Sequence, residues 1–139
     1  ARAAEFEPGY ERMVFVTTLW QFHSVAHELA EHAAVPTRSV RLDVRSPLDR
    51  ALSPHCFTLP FVFGERRSWC DAPMLAGLGD DTFERVRAAF REAVVPFVHD
   101  GSGAAPVWRP DSPGVLVVDE NGGRVAAPER LEVTAVMNR

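Results

Sequence analysis

At 139 residues the chain is the size of one domain or of part of one, and its apolar fraction of 46% is that of an ordinary globular protein. A formal net charge of -4 argues against a nucleic-acid surface, where basic stripes are expected, and no run approaches the ~20 apolar residues of a membrane span. All 15 cationic side chains are arginine; lysine and isoleucine are absent, a pattern that GC-rich coding explains without any function.

The start, Ala1-Arg2-Ala3-Ala4-Glu5, has neither an initiator Met nor the apolar segment of a signal peptide, so a cut boundary is expected there. A cytoplasmic location is the expectation, with secretion left open. Cys56 and Cys70 are too few for the disulfide framework of a small secreted domain, and a single bridge between them is neither required nor excluded.

Residues 1 to 12 are polar and irregular, with a turn signal at Pro8-Gly9. From Trp20 to Ala34, Trp20, Val25, Ala26, Leu29, Ala30 and Ala33 fall at helical spacing and predict one apolar stripe, with histidines and glutamates elsewhere. Pro36 comes next, as expected after a helix end. Val40 to Val44 alternates and predicts a short strand, which Ser46-Pro47 breaks. Residues 47 to 60 read as a loop containing His55, Phe61-Val62-Phe63 is too short to classify by period, and residues 65 to 80 read as another loop.

Phe83, Val86, Phe90, Val94 and Phe97 recur at steps of three and four, the clearest amphipathic helix and an expected core stripe. Asp80 or Asp81 is its expected cap, with Glu84 completing a capping box; Pro96 should kink or shorten it and Gly101 should end it. Val115 to Val118 predicts a strand, Asn121-Gly122-Gly123 a hairpin turn, Arg124 to Ala126 a return strand, and Pro128 to about Met137 a short helix.

Several residues invite chemistry. His23 and His27 stand at i, i+4 with His32 beyond, but His27-Glu28 is followed by His32 one residue too late for a zinc-protease motif, and no third ligand is evident. An amphipathic helix surface is the better reading, and no metal or cofactor is expected. Cys56 adjoins His55, yet sequence neighbours on a loop seldom face each other. Asp43 and Asp49 are the nearest acids in sequence to His55, and Asp43 reads as part of the strand. Gly101-Ser102-Gly103 lacks the spacing of a Gly-x-Ser-x-Gly nucleophile elbow, which occurs nowhere in the chain.

Four segments, in order, resemble the C-terminal part of type-B carboxylesterases, the family of para-nitrobenzyl esterases and cholinesterases. Trp20 to His32 resembles the helix before the last central strand, and Val40-Arg41-Leu42-Asp43-Val44-Arg45-Ser46-Pro47 resembles that strand. His55-Cys56-Phe57-Thr58-Leu59-Pro60-Phe61-Val62-Phe63-Gly64 resembles the segment carrying the catalytic histidine, His-x-x-Glu-Leu-Pro-Phe-Val-Phe-Gly. Phe97 to Gly101, Pro106 to Pro110 and Val115 to Asp119 resemble the family's ending. Thr58 departs from the usual Glu, Asp100-Gly101-Ser102-Gly103 replaces a Gly-Asp-Pro-Asn turn, and the aromatic residue after the Trp-Pro pair is missing.

The resemblance implies an α/β fold, the C-terminal portion of an α/β-hydrolase domain spanning residues 1 to 139. It implies His55 as the general base of a serine triad whose nucleophile, acid and oxyanion hole lie on an N-terminal segment absent from this sequence. In that chain order, Ser, then Asp or Glu, then His, the histidine comes last. The implied reaction is hydrolysis of a small-molecule carboxylic ester, or a related carbamate, through an acyl-serine intermediate without a cofactor. Cys56, Phe57, Phe61, Phe63 and Trp69 are candidates for the substrate pocket, and for each aromatic residue plain core packing serves equally well. The expected partner is that N-terminal segment, with no nucleic acid and no membrane. Without it the strand at 40 to 44 would have an open edge, and the isolated segment is expected to be aggregation-prone. The alternative, from another class, is a non-catalytic α/β fragment or interaction module that keeps the pattern without the chemistry.

Overall fold

The computed structural model describes residues 9–48 and 52–129. A continuous helical run opens it: α1 (Tyr10–Thr18) passes through a π-helical turn (Leu19–His23) into α2 (Ser24–His32). The helix therefore begins directly after Gly9, ten residues before the apolar spacing that starts at Trp20. Its buried side differs from the expected stripe except at Ala30. Leu19, His27 and Ala30 point inward, whereas Trp20, Val25 and Leu29 are exposed. The run carries apolar residues on both sides, so spacing alone selected the wrong one.

Strand β1 (Val40–Leu42) pairs in parallel with β2 (Val115–Asp119), Val40 opposite Leu116, and β2 pairs antiparallel with β3 (Gly122–Ala126). The sheet order is β1-β2-β3. Asp43 N–H still donates to the Val118 carbonyl at 2.8 Å, so the pairing outlasts the regular strand. The hairpin turn lies at Glu120-Asn121, one residue earlier than expected. Asp119 Oδ1 accepts from Asn121 N–H at 2.8 Å, and Gly122, at φ 111, takes the left-handed conformation a side chain would disfavour. The helix expected from Pro128 to Met137 falls largely outside the described residues.

Strand periodicity sends alternate β2 side chains to opposite faces. Leu116 and Val118 join Val44, Phe57, Phe61 and Leu75 beneath Phe83, Val86 and Phe90 of α4 (Asp80–Asp100). Val115 and Val117 meet Ala30 of α2 and Trp108 on the other face. Helices thus cover both faces of the sheet, and β2 is buried on both, as a parallel pairing favours.

Phe61-Val62-Phe63 is helical, in α3 (Leu59–Phe63), with Pro60 in its first turn, where a missing N–H costs nothing. Phe61 sits at the centre of an aromatic cluster, 5.4 Å from Phe57, 5.1 Å from Phe83 and 6.5 Å from Phe90, ring centre to ring centre. Two short 3-10 turns, Arg66–Trp69 and Pro73–Leu75, punctuate the stretch between α3 and α4 that reads as loop. Gly64 lies under the Trp69 indole, which a Cβ would meet at 2.1 Å, so nothing larger fits.

The N-cap of α4 is Gly79, without a side-chain cap; the expected capping box does not form, and Glu84 instead pairs with Arg87 at 2.7 Å. Asp80 and Asp81 still favour the first turn through the helix dipole. Pro96 does not shorten the helix. Its ring nitrogen cannot donate to the Glu92 carbonyl four residues back, and that carbonyl accepts from Ala104 N–H at 3.1 Å instead. Gly101, at φ 78, ends the helix. Gly103 brings the chain back so closely that a Cβ there would lie 2.5 Å from the Ala93 carbonyl oxygen. Arg38 then ties this return down, its guanidinium donating to the carbonyls of Gly101 at 3.0 Å, Gly103 at 3.5 Å and Ala105. The stripe is core from Phe83 to Ala93, but Phe97, beyond Pro96, is 46% exposed.

Candidate functional site

His55 sits on a tight turn between the end of β1 and the start of α3. Phe57 N–H donates to the Pro54 carbonyl and Leu59 N–H to the Cys56 carbonyl, each at 3.0 Å. Cys56 holds φ 64 and Leu52 φ 50, conformations non-glycine residues seldom adopt, on either side of the histidine. Two anchors hold the segment. Phe57 is fully buried in the core. Ser46 is buried upstream, its hydroxyl donating to the Met74 carbonyl at 2.7 Å and accepting from Leu48 N–H at 3.1 Å, while its own N–H donates to the Leu52 carbonyl at 2.5 Å. The imidazole of His55 is exposed and hydrogen-bonds to no described residue.

The carboxylate of Asp43 is engaged elsewhere. Arg41 grips it through Nε at 2.8 Å and Nη2 at 2.7 Å, and reaches Glu129 at 3.2 Å with its other terminal nitrogen. This two-point pairing is the strong, directional form of an ion pair, and it ties the end of β1 to the segment after β3. Asp49 lies outside the described residues. Of the other candidates, Phe57 and Phe61 belong to the core, Phe63 is 79% exposed, Trp69 covers Gly64, and Cys56 is exposed. Cys56 and Cys70 are both free thiols.

A cavity of about 250 Å³ opens at the carboxyl end of β1. Val14, Phe15 and Thr18 of α1 form one wall, residues 42–45 the other, and His23, Leu52, Ser53 and Glu129 close it. Neither His55 nor any pocket candidate lines it, although Ser53 is two residues from His55. Sequence reasoning missed this cavity because α1 begins in a stretch that reads as irregular.

Among the described residues, no group of three His, Cys, Asp or Glu side chains is placed to hold a metal ion. The paired histidines have a packing role instead. His27 is only 8% exposed and stacks on Trp108 at 5.1 Å, correcting its expected place on the helix surface. His23 lies 6.3 Å from His27 and faces the cavity. The exposed Asp100 carboxylate, which accepts from Ser102, first from its side chain and then from its backbone N–H, is held below its ordinary value of 3.8. Among the described residues, no helix is long and apolar enough to cross a membrane.

No family model matches the sequence, and no solved structure matches it. Among curated proteins, the chain is 38% identical over 115 residues to phenmedipham hydrolase of Pseudarthrobacter oxydans. The match takes in 76% of this chain and 23% of that protein, so the chain spans under a quarter of the relative's length. The sequence is thus related, over most of its own length, to one part of a hydrolase.

Proposed function

We propose that this chain supplies the histidine base of a serine-type hydrolase that cleaves carboxylic esters or related carbamates, with His55 as that base. The observation that carries the reading is the similarity to phenmedipham hydrolase. The nucleophile and the orienting acid would come from polypeptide outside these 139 residues, because the sequence has no nucleophile elbow and the carboxylate of Asp43 is gripped by Arg41. In this reading the chain is the C-terminal portion of a type-B carboxylesterase α/β-hydrolase domain, and the missing portion is its partner.

The geometry around His55 suits the role. Its turn comes after a strand in parallel pairing, and ligands of open α/β sheets sit beyond the carboxyl ends of such strands. The turn is anchored on both sides while the imidazole itself stays accessible. In the proposed reaction one imidazole nitrogen takes the serine proton as the hydroxyl oxygen bonds to the substrate carbonyl carbon, and the histidine then returns that proton to the departing alkoxide. Water repeats the sequence to release the acid. The 250 Å³ cavity beside Ser53 would accept part of the substrate or of the partner segment.

The test is His55→Ala in the esterase-active assembly that contains this chain. We expect kcat/KM to fall by at least about 10³-fold, with binding of a non-hydrolysable ester analogue nearly unchanged. Unchanged turnover would remove His55 from the mechanism. The chain alone should not react with a fluorophosphonate probe; in that assembly, failure to label any serine would favour a non-catalytic interaction module instead.

A further inference from the structure

Ser46 is a buried polar residue with more partners than its place in a loop requires. It is 8% exposed, and a hydroxyl taken out of water must be paired. It is paired twice, donating to the Met74 carbonyl at 2.7 Å and accepting from Leu48 N–H at 3.1 Å. Its backbone N–H donates to the Leu52 carbonyl at 2.5 Å. One residue thus joins the end of the β1 segment, the chain that runs on to His55, and the 3-10 turn Pro73–Leu75, 28 residues away at Met74.

That distant turn is a fixed point. Leu75 is fully buried, and the Arg66 guanidinium donates to the carbonyls of Leu75 at 3.1 Å and Leu78 at 3.4 Å. Pro47 lies beside Gly77, which holds φ 86. Arg66 comes shortly after α3, so the chain upstream of His55 and the chain downstream of it are fastened to the same support. Between the two fastenings the backbone is unfavourable. Leu52 at φ 50 and Cys56 at φ 64 persist only where their surroundings hold them. Phe57 and α3 hold the Cys56 side, and Ser46 holds the Leu52 side.

We propose that Ser46 is a positioning residue for the base: its hydroxyl, through the Met74 carbonyl, fixes where the turn presents the His55 imidazole. The proposal rests on the reading of His55 as the base. A base acts within about 2.6–3.2 Å of the proton it takes, and a displacement of about 1 Å can cost on the order of 10²-fold in rate. Ser46 does not line the cavity at the end of β1. Its loss should therefore slow proton transfer without weakening substrate binding.

The test is Ser46→Ala in the esterase-active assembly that contains this chain. We expect kcat to fall roughly 10- to 100-fold with KM nearly unchanged, and Ser46→Thr, which keeps the hydroxyl, to recover most of the loss. Adding Ser46→Ala to His55→Ala should leave the residual rate unchanged, because a residue that acts through the base then has nothing to position. Should Ser46→Ala misfold, Ser46→Cys carries the test: its thiol is a weaker donor and should give an intermediate kcat. A His55-dependent turnover indifferent to these variants, a change in KM alone, or an equal loss from Ser46→Ala in the His55→Ala background would overturn the proposal and leave His55 as the base. Turnover unchanged by His55→Ala would overturn both.

Discussion

Helices α4 and α1–α2 carry similar apolar content but use it in opposite ways. In α4 the large apolar residues up to Phe90 share one side, and that side meets Leu116, Val118 and the Phe57–Phe61 cluster. In α1–α2 they occupy both sides, and the fold buries the smaller set, Leu19, His27 and Ala30, while the aromatic set faces outward. Helical spacing therefore reports helicity in both regions but assigns a buried face only where one side alone is apolar. Where both sides are, the neighbour decides, and here the neighbours of Ala30 are Trp108 and the β2 valines Val115 and Val117.

The contrast between the two helices is most exposed to test at the aromatic cluster. Phe61→Ala should cost about 3–5 kcal/mol, because a fully buried ring with three aromatic neighbours leaves a cavity that helices on a twisted sheet cannot close. The midpoint of urea unfolding measures it. A loss no larger than that of an exposed residue such as Phe63 would mean that the α4 side is not the organising core.

A smaller effect is expected at Arg38. Arg38→Ala removes the guanidinium that ties residues 101–105 to the edge of the fold, and should cost about 1–3 kcal/mol, the cost of leaving part-buried carbonyls without their donor. Hydrogen exchange should rise at Ala104, whose N–H completes the bond that Pro96 leaves unmade. If exchange there is unchanged, the return loop holds itself and the clamp is redundant.

The smallest effect concerns acid. Asp100 titrates below its ordinary value in the folded chain because Ser102 hydrogen-bonds its charged form. A carboxyl lowered by folding adds stability above its unfolded value, and that stability is lost as pH falls from about 3.8 through the lower folded value. Asp100→Asn should flatten the acid limb of stability slightly, and chemical unfolding on either side of pH 3.8 reads the change. An identical acid limb in the variant would show that the exposed Ser102 contact contributes nothing.

Much of the architecture was legible from the residues. The Val40 and Val115 strands and the Phe83 helix lie where spacing puts them, and the hairpin turn falls one residue before its expected place, because two-residue and 3.6-residue periods are properties of the chain itself. The missed features depend on contacts between distant segments. Leu59–Phe63 is helical although a five-residue apolar run has no measurable period, and its aromatic packing against Phe83 and Phe90 accompanies that choice. The helix through Pro96 persists because Ala104, eight residues further on, satisfies the orphaned carbonyl.

The candidate site divides the same way. Residue order alone puts one histidine between a strand and the Leu-Pro-Phe-Val-Phe run, and no arrangement of the described residues removes it from an accessible turn. It took the packed fold to turn Phe57 and Phe61 inward and Phe63 outward, to commit Asp43 to Arg41, and to bury His27 against Trp108. The physical reason is that a side chain's chemistry is local, whereas its burial and its ion-pair partner are set by whichever distant surface the fold brings to it.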